Sequence, residues 1–267
     1  MNTQFGLIDN YRTVPGKVPL VSRLLPELSF YSRFLWIIFR AAAKTSHHRF
    51  DRAALCRSSL DVLRNLESIG VCLEIDGTGY LQRLETPCVI VANHMSVLET
   101  AILPVIIQPI KDMTFIVKEG LMRYPVFKHI LATLDPVVVG RVNPRQDLRT
   151  VMQEGIDRLN RGMSVVVFPQ TTRSNSFDAR RFNSLGVKLA LRAKVPAVPL
   201  ALTTDAWGNG RIIKDFGKID TSKTVRFSFG RPITIQGRGG EAHQAVIQFI
   251  KGKLSQWRYN TSTVTAD

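Results

Sequence analysis

Short apolar runs recur along the chain from residue 71 onward, and segments with helical periodicity separate them. Such runs, bounded by polar residues, glycine and proline, are typical of buried strands. Candidate strands lie at residues 71–75, 88–92, 114–117, 137–139, 164–168, 197–202 and 225–229. Helices are predicted over residues 98–107, 145–161, 184–193 and 241–257. Strands that alternate with helices predict an α/β fold, with a mixed, largely parallel sheet flanked by helices.

The first 70 residues have a different pattern. Aromatic and aliphatic side chains crowd a predicted helix over residues 27–44, and a second helix is predicted over residues 50–69. We therefore expect three regions: an N-terminal two-helix segment at 1–70, an α/β domain at 71–260 and a polar tail at 261–267. The first helix, interrupted by Arg33 and Arg40, resembles an interfacial membrane helix. A helix packed on the α/β domain is the alternative.

Composition narrows the class of protein. A hydrophobic content of 45% over 267 residues is enough for a sizeable core and excludes global disorder. The longest apolar run, residues 34–39, is far shorter than the roughly 20 residues of a spanning helix, so a conventional integral membrane protein is not expected. The net charge of +15 points to an anionic partner: nucleic acid, a lipid surface or a phosphorylated substrate.

Cysteine and histidine usage is consistent with a reducing compartment and no metal. Cys56, Cys72 and Cys88 form no C-x-x-C pair, so reduced thiols are expected. The histidines other than His94 have no companions at metal-ligand spacing, and no metal site is predicted. No basic region followed by an apolar run marks a signal peptide at the amino terminus, which favours a cytoplasmic location.

A histidine and a carboxylate follow the candidate strand at 88–92. His94 lies just beyond the strand, where open α/β sheets bind ligands, and Glu99 follows five residues later. A carboxylate that holds one imidazole nitrogen leaves the other nitrogen able to act as a general base. The pair therefore indicates a catalytic dyad; a capped helix with a structural histidine is the alternative reading.

A second polar cluster follows the candidate strand at 164–168. Residues 168–174 read Phe-Pro-Gln-Thr-Thr-Arg-Ser, and the Arg173 fork matches a phosphate bidentately. Lys118 and Arg141 follow two other candidate strands and could close a phosphate pocket. An ordinary polar loop with solvated surface charges is the alternative in each case. No serine elbow and no glycine-rich nucleotide loop is present in the sequence.

Together these segments resemble the glycerolipid acyltransferase superfamily, in its PlsC-type branch of lysophosphatidic acid acyltransferases, over residues 87–233. Asn93, His94, Ser96 and Glu99 resemble the block N-H-x-S-x-x-D. Residues 168–174 resemble F-P-E-G-T-R-S. Lys118 and Val139-Gly140-Arg141 resemble a second block, and similar blocks follow at 182–199 and 229–233.

Three positions depart from the pattern of this family. Glu99 replaces an aspartate, which retains the carboxylate with one more methylene group. Gln170 replaces a glutamate and removes a negative charge, and Thr171 replaces a glycine. These departures leave the reaction type intact and put the identity of the acceptor in question.

The resemblance implies transfer of a fatty acyl group from acyl-CoA or acyl carrier protein to the hydroxyl of a lysophospholipid, with 1-acyl-glycerol-3-phosphate as the first expectation. His94 is the implied base and Glu99 its orienting carboxylate. The implied substrate-binding residues are Asn93, Ser96, Lys118, Arg141, Gln170, Thr171, Thr172, Arg173 and Ser174. No cofactor is implied. An anionic membrane surface is the implied partner, with the protein peripheral or monotopic at the cytoplasmic face of the cell membrane.

Three alternatives remain open at this level. The acceptor could be a lyso-aminolipid or a lipid A precursor, since glutamate in the first block is also seen in the lipid A branch. A nucleic-acid-binding protein would fit the charge, but no recognised module is present and the ordered blocks would be unexplained. An inactive relative is disfavoured because His94, a carboxylate and Arg173 are all retained.

Overall fold

A computed structural model of the chain describes residues 10–14, 16–46, 50–123, 125–170, 172–210 and 214–264. The strands within these ranges are β1 (Asn10–Arg12), β2 (Leu73–Asp76), β3 (Val89–Ala92), β4 (Met113–Lys118), β5 (Val137–Val139), β6 (Ser164–Val167), β7 (Ala197–Thr203) and β8 (Val225–Phe229). The helices are α1 (Leu20–Leu24), α2 (Pro26–Ser46), α3 (Arg52–Ser68), α4 (Gly79–Gln82), α5 (Leu98–Ile107), α6 (Pro125–Ala132), α7 (Pro144–Asn160), α8 (Leu185–Ala193) and α9 (Gly240–Val264).

The strands form one mixed sheet in the order β1-β2-β8-β7-β3-β6-β4-β5. The run from β7 to β5 is parallel, while β8 is antiparallel to β7. The carboxyl ends of β7, β3, β6, β4 and β5 therefore share one edge. Strands β3 and β6 are buried along their full length, as expected for a sheet covered on both faces.

Helices cover both faces of the sheet. On one face α2, α3 and α5 surround a core that includes Phe30, Leu63 and Ile102. On the other face α7, α8 and α9 enclose a second core around Val165 and Val246. The α/β class and the mixed sheet flanked by helices are confirmed.

The seven predicted strands are present with shifts of one or two residues at some ends, and β1 was not predicted. Strand β1 is a three-residue edge strand of polar residues and tyrosine, antiparallel to β2, so it has no apolar run to reveal it. The last helix, predicted over residues 241–257, is longer than expected. Helix α9 continues to Val264, because no glycine or proline after Trp257 ends it; residues 265–267 lie outside the described residues.

The inner face of α2 packs on the sheet. Phe30, Phe34 and Ile37 are buried in the same core as β3 and α5, and the Trp207 ring lies edge-on to Phe30 and Phe34, with ring centroids 4.8 Å apart in both pairs. The hydrophobic core is therefore continuous across residue 70, where the N-terminal two-helix segment was expected to end. Among the described residues, no helix has both the length and the apolarity needed to cross a bilayer.

Candidate active site

The two polar clusters predicted from the sequence meet at the carboxyl edge of the sheet. Strand β3 ends just before His94, and β6 ends just before Phe168. Because β3 and β6 are neighbours in a parallel pair, the loops that follow them lie side by side. The backbone N–H of Ser174 donates to the carbonyl oxygen of His94 at 3.0 Å, which ties the two loops together.

His94 and Glu99 form a hydrogen-bonded pair. His94 Nδ1 lies 2.7 Å from Glu99 Oε2. The His94 side chain is 15% exposed and that of Glu99 is fully buried. A neutral imidazole that donates Nδ1–H to this carboxylate has its lone pair on Nε2. The geometry is that of an imidazole oriented to accept a proton at Nε2.

The second oxygen of Glu99 is fully engaged. Its Oε1 accepts hydrogen bonds from the backbone N–H groups of Met95 at 2.7 Å and Ser96 at 2.9 Å, and from Thr204 Oγ1 at 2.6 Å. Glu99 lies in the first turn of α5, where a carboxylate also interacts favourably with the helix dipole. A buried carboxylate with this many donors is held in one orientation.

The loop that carries His94 is fixed from several sides. The buried Gln170 accepts a hydrogen bond from the His94 backbone N–H at 2.8 Å through Oε1. Asn209 Nδ2 donates to the Met95 carbonyl at 2.9 Å. The Phe168 ring stacks on the imidazole, with centroids 4.5 Å apart. The imidazole is therefore placed by backbone, amide and aromatic contacts as well as by Glu99.

Asn93 and Ser96 shape this loop. Asn93 pairs with the backbone of Leu202 on β7 through both amide atoms, each at 2.9 Å. Ser96 Oγ donates to the Thr204 carbonyl at 3.0 Å and accepts from the Leu98 backbone N–H. Both side chains are buried, so these hydrogen bonds account for their polar atoms. A direct contact of either residue with substrate stays a prediction.

Arg173 has a partner that the sequence did not indicate. Its Nη1 lies 2.5 Å from Asp215 Oδ1, and the Arg173 side chain is mostly buried. Trp207 Nε1 donates a hydrogen bond of 3.1 Å to the backbone carbonyl of Asp215, and this bond holds Asp215 in place. An anion that binds Arg173 must therefore share the guanidinium with a carboxylate.

The other predicted substrate residues line the same edge at greater distance. Lys118 is the exposed last residue of β4, and Arg141 is exposed after β5. Adjacent strands lie about 4.8 Å apart, which puts the end of β4 about 10 Å and that of β5 about 14 Å from β3. Thr172 is exposed and Ser174 is partly buried. Thr171 lies outside the described residues.

The two buried cysteines, Cys56 and Cys88, are unsuited to nucleophilic catalysis. Burial raises the pKa of the Cys88 thiol to about 11, and burial also raises the pKa of Cys56 to about 11. Both thiols are thus protonated at neutral pH and behave as core residues. Within the described part of the chain, no group of three or more His, Cys, Asp or Glu side chains is arranged to hold a metal ion.

Three site residues were missed by the sequence analysis: Thr204, Asn209 and Asp215. Thr204 directly follows β7, whose carboxyl end lies at the same edge as that of β3, so a hydroxyl after that strand was a usable signal. Asn209 and Asp215 lie in the long β7–β8 connection, which has no motif. Their places at the site depend on how this connection folds back over the loop of His94.

Sequence comparison supports the resemblance. A family profile described as acyltransferase matches residues 72–203. A 1-acyl-sn-glycerol-3-phosphate acyltransferase of Pseudomonas aeruginosa is 30% identical over 211 residues, which cover 79% of this chain and 77% of that protein. A chloroplastic 1-acyl-sn-glycerol-3-phosphate acyltransferase of Brassica napus is 31% identical over 140 residues, or 52% of this chain and 38% of that protein.

A solved structure shares the fold. The crystal structure of the 1-acyl-sn-glycerophosphate acyltransferase PlsC from Thermotoga maritima aligns with a TM-score of 0.63 at 20% sequence identity. The alignment covers 89% of this chain and 97% of that chain. The similarity extends over nearly the whole of both proteins. At 20% sequence identity it establishes a shared fold and nothing further.

Gln170 gives a test of how the His94 loop is fixed. In Gln170→Met the backbone N–H of His94 loses its acceptor, at an expected cost of about 1–3 kcal/mol in the free energy of unfolding. We expect thermal unfolding to show a melting temperature lower by several degrees. Gln153→Met, at an exposed position on α7, is the control and should leave the melting temperature unchanged. Equal melting temperatures for the two variants would show that the hydrogen bond from the His94 backbone to Gln170 does not stabilise the loop.

Proposed function

This chain belongs to the acyltransferase family, and we propose that it transfers a fatty acyl group from a thioester donor to the free hydroxyl of 1-acyl-glycerol-3-phosphate, giving phosphatidic acid. The observation that carries the proposal is the hydrogen bond of 2.7 Å between His94 Nδ1 and the buried Glu99 carboxylate. It leaves Nε2 as a base at the carboxyl edge of the sheet. The name of the Pseudomonas aeruginosa relative supports the choice of acceptor.

In the proposed reaction, His94 Nε2 removes the proton of the acceptor hydroxyl as its oxygen attacks the thioester carbonyl carbon. Glu99 stabilises the resulting imidazolium through Nδ1–H. The tetrahedral intermediate then expels the thiolate of CoA or of acyl carrier protein, and the proton on Nε2 passes to that sulfur. One ester bond forms as one thioester bond breaks. No covalent acyl-enzyme is required, because the donor is already activated.

His94→Ala tests the base assignment. We expect transfer from labelled acyl-CoA or acyl carrier protein to fall by a factor of about 10² to 10⁴, the usual contribution of a positioned general base. The variant should remain folded, with a somewhat lower melting temperature because the buried Glu99 carboxylate loses one hydrogen-bond donor. His129→Ala, at an exposed position on α6, is the matched control and should keep full activity. Turnover of His94→Ala near that of the unsubstituted protein would show that the base is another group.

A second candidate acceptor follows from the ion pair between Arg173 and Asp215. A phosphate monoester that binds Arg173 is brought near the Asp215 carboxylate, and like charges repel. A head group with both an anion and an amine would satisfy the arginine and the carboxylate together. This observation favours a zwitterionic lyso-lipid, such as a lyso-aminolipid, as the alternative acceptor within the same reaction class.

Asp215→Asn distinguishes the two acceptors. The assay offers lysophosphatidic acid, other lysophospholipids and a lyso-aminolipid, each with acyl-CoA and with acyl carrier protein as donor. If the acceptor is the phosphate monoester, Asp215→Asn should lower KM for lysophosphatidic acid several-fold, and Arg173→Ala should raise it about tenfold or more.

A preference of the unsubstituted protein for the lyso-aminolipid, lost in Asp215→Asn, would instead establish the zwitterionic acceptor. Asp205→Asn, which removes a carboxylate paired with Lys223, serves as the control. An unchanged KM for every acceptor in Arg173→Ala would remove Arg173 from acceptor binding.

We further propose that the enzyme contacts its lipid substrate at an anionic membrane surface, at the cytoplasmic face of the cell membrane. The outer sides of α1 and α2 expose a set of large apolar side chains, namely Leu20, Val21, Leu24, Leu25, Leu28, Leu35, Trp36 and Phe39. Many large exposed apolar side chains on two consecutive helices are typical of a membrane or protein contact. Arg40 pairs with Asp61 and Arg33 with Ser68, and both partners lie on α3. The proposal of a membrane contact therefore rests on the exposed apolar side chains.

The exposed apolar side chains of α1 and α2, called here the outer apolar face, are linked to the site by the β7–β8 connection. Tyr31 on α2 donates a hydrogen bond of 2.5 Å to the Gly217 carbonyl and packs on Phe216, which is itself partly exposed. Phe216 directly follows Asp215, the partner of Arg173. A lipid acceptor could therefore pass from the bilayer along this connection to His94.

The double variant Trp36→Ser/Phe39→Ser tests the outer apolar face. These two rings are stacked and exposed, so their removal should weaken binding by at least tenfold without unfolding the protein. Flotation with vesicles of phosphatidylcholine and phosphatidylglycerol measures the binding. Leu148→Ser, at an exposed site on α7, is the control. Undiminished flotation of the double variant would exclude this face as the membrane contact.

A further inference from the structure

Thr204 lies behind the catalytic carboxylate and belongs to none of the sequence blocks discussed above. It directly follows β7 and is fully buried. Its Oγ1 donates to Glu99 Oε1 at 2.6 Å, and its carbonyl accepts from Ser96 Oγ at 3.0 Å. Ser96 in turn donates its backbone N–H to the same Oε1 of Glu99. Thr204, Ser96 and Glu99 therefore form a closed ring of hydrogen bonds.

The ring gives a physical reason for a glutamate at position 99. The carboxylate must reach His94 Nδ1 with one oxygen while the other meets the Met95 and Ser96 backbone and Thr204. An aspartate is shorter by one carbon–carbon bond, about 1.5 Å. From the same Cα position in the first turn of α5, an aspartate carboxylate would lie farther from one of these two sets of partners. The position of the Thr204 hydroxyl thus matches the length of a glutamate side chain at position 99.

On the premise of the proposed function, we infer that Thr204 is a positioning residue of the acyl transfer reaction. Its hydroxyl holds the Glu99 carboxylate in the position that a glutamate side chain reaches. The carboxylate in turn orients the His94 ring. Thr204 does not touch substrate and acts only through Glu99. Among the described contacts of this carboxylate, His94 is the titratable partner.

Three variants measure this role in the full-length protein. Thr204→Val removes the hydroxyl at nearly constant volume, and we expect kcat to fall about tenfold, as for one hydrogen bond to a charged group, with KM unchanged. Thr204→Ser keeps a hydroxyl and should restore most of kcat. Thr203→Val is the matched control, because its hydroxyl bonds the Thr224 carbonyl and not the dyad.

A double-mutant cycle separates positioning from general stability. In the background of Glu99→Ala, Thr204→Val should lower kcat by less than twofold, because the group through which it acts is absent. An equal loss in both backgrounds, or a loss that follows the melting temperature and appears also in Thr203→Val, would overturn the inference.

A spectroscopic readout keeps the inference testable apart from activity. In protein labelled with ¹⁵N-histidine, the Nδ1–H resonance of His94 should shift in Thr204→Val and remain in place in Thr204→Ser and Thr203→Val. If the unsubstituted protein transfers no acyl group to any acceptor, the proposed function fails, and this resonance still decides the role of Thr204. A resonance unmoved in Thr204→Val would overturn it. Thr204→Ala is measured in the same way if Thr204→Val does not fold.

Discussion

The Glu99 carboxylate is buried from solvent and accepts hydrogen bonds from the Met95 and Ser96 backbone, the Thr204 hydroxyl and the His94 ring. An ionised carboxylate in the protein interior is very costly unless donors of this kind surround it. The donors come from the loop after β3 and from the end of β7, so the two strands must be neighbours and parallel, as they are. The carboxylate thus makes the active-site geometry depend on the correct register of the central sheet.

Much of the fold could be predicted from the sequence because the central strands are continuous apolar runs, buried on both sides. The same logic fails at the sheet edge, where β1 is held by pairing with β2 and by the Thr13–Leu73 and Thr13–Glu67 hydrogen bonds. It also fails for α2, whose residues 34–39 are all apolar and so do not mark one face. The sequence pattern could not tell that Phe30 and Phe34 face the core while Trp36 and Phe39 face outward. The buried face is the one that meets α3 and, far along the chain, Trp207.

The candidate site shows the same division between local and long-range information. His94 and Glu99 are five residues apart, so a helix start brings them together and the pair could be predicted. Thr204 and Asp215 reach the site only through the tertiary fold, 105 residues from Glu99 and 42 from Arg173. Asn93 and Ser96, for which substrate contact stays a prediction, use their side chains to hold the loop, through the Leu202 backbone, the Thr204 carbonyl and the Leu98 N–H. Polar residue type alone does not separate a residue that holds a loop from one that meets a ligand.

The distribution of charge in the site explains how one departure from the family pattern, Gln170, can coexist with the hydrogen-bonded pair of His94 and Glu99. Gln170 supplies the acceptor that the His94 backbone requires through a neutral amide oxygen, so the loop is fixed without a second anion beside the imidazole. The negative charge nearest to Arg173 comes instead from Asp215, on a different loop. His94 is thus paired with Glu99, and the Arg173 guanidinium with Asp215. Changes in acceptor preference can then arise at Asp215, whose carboxylate contacts Arg173 and is not among the described hydrogen-bond partners of the His94–Glu99 pair.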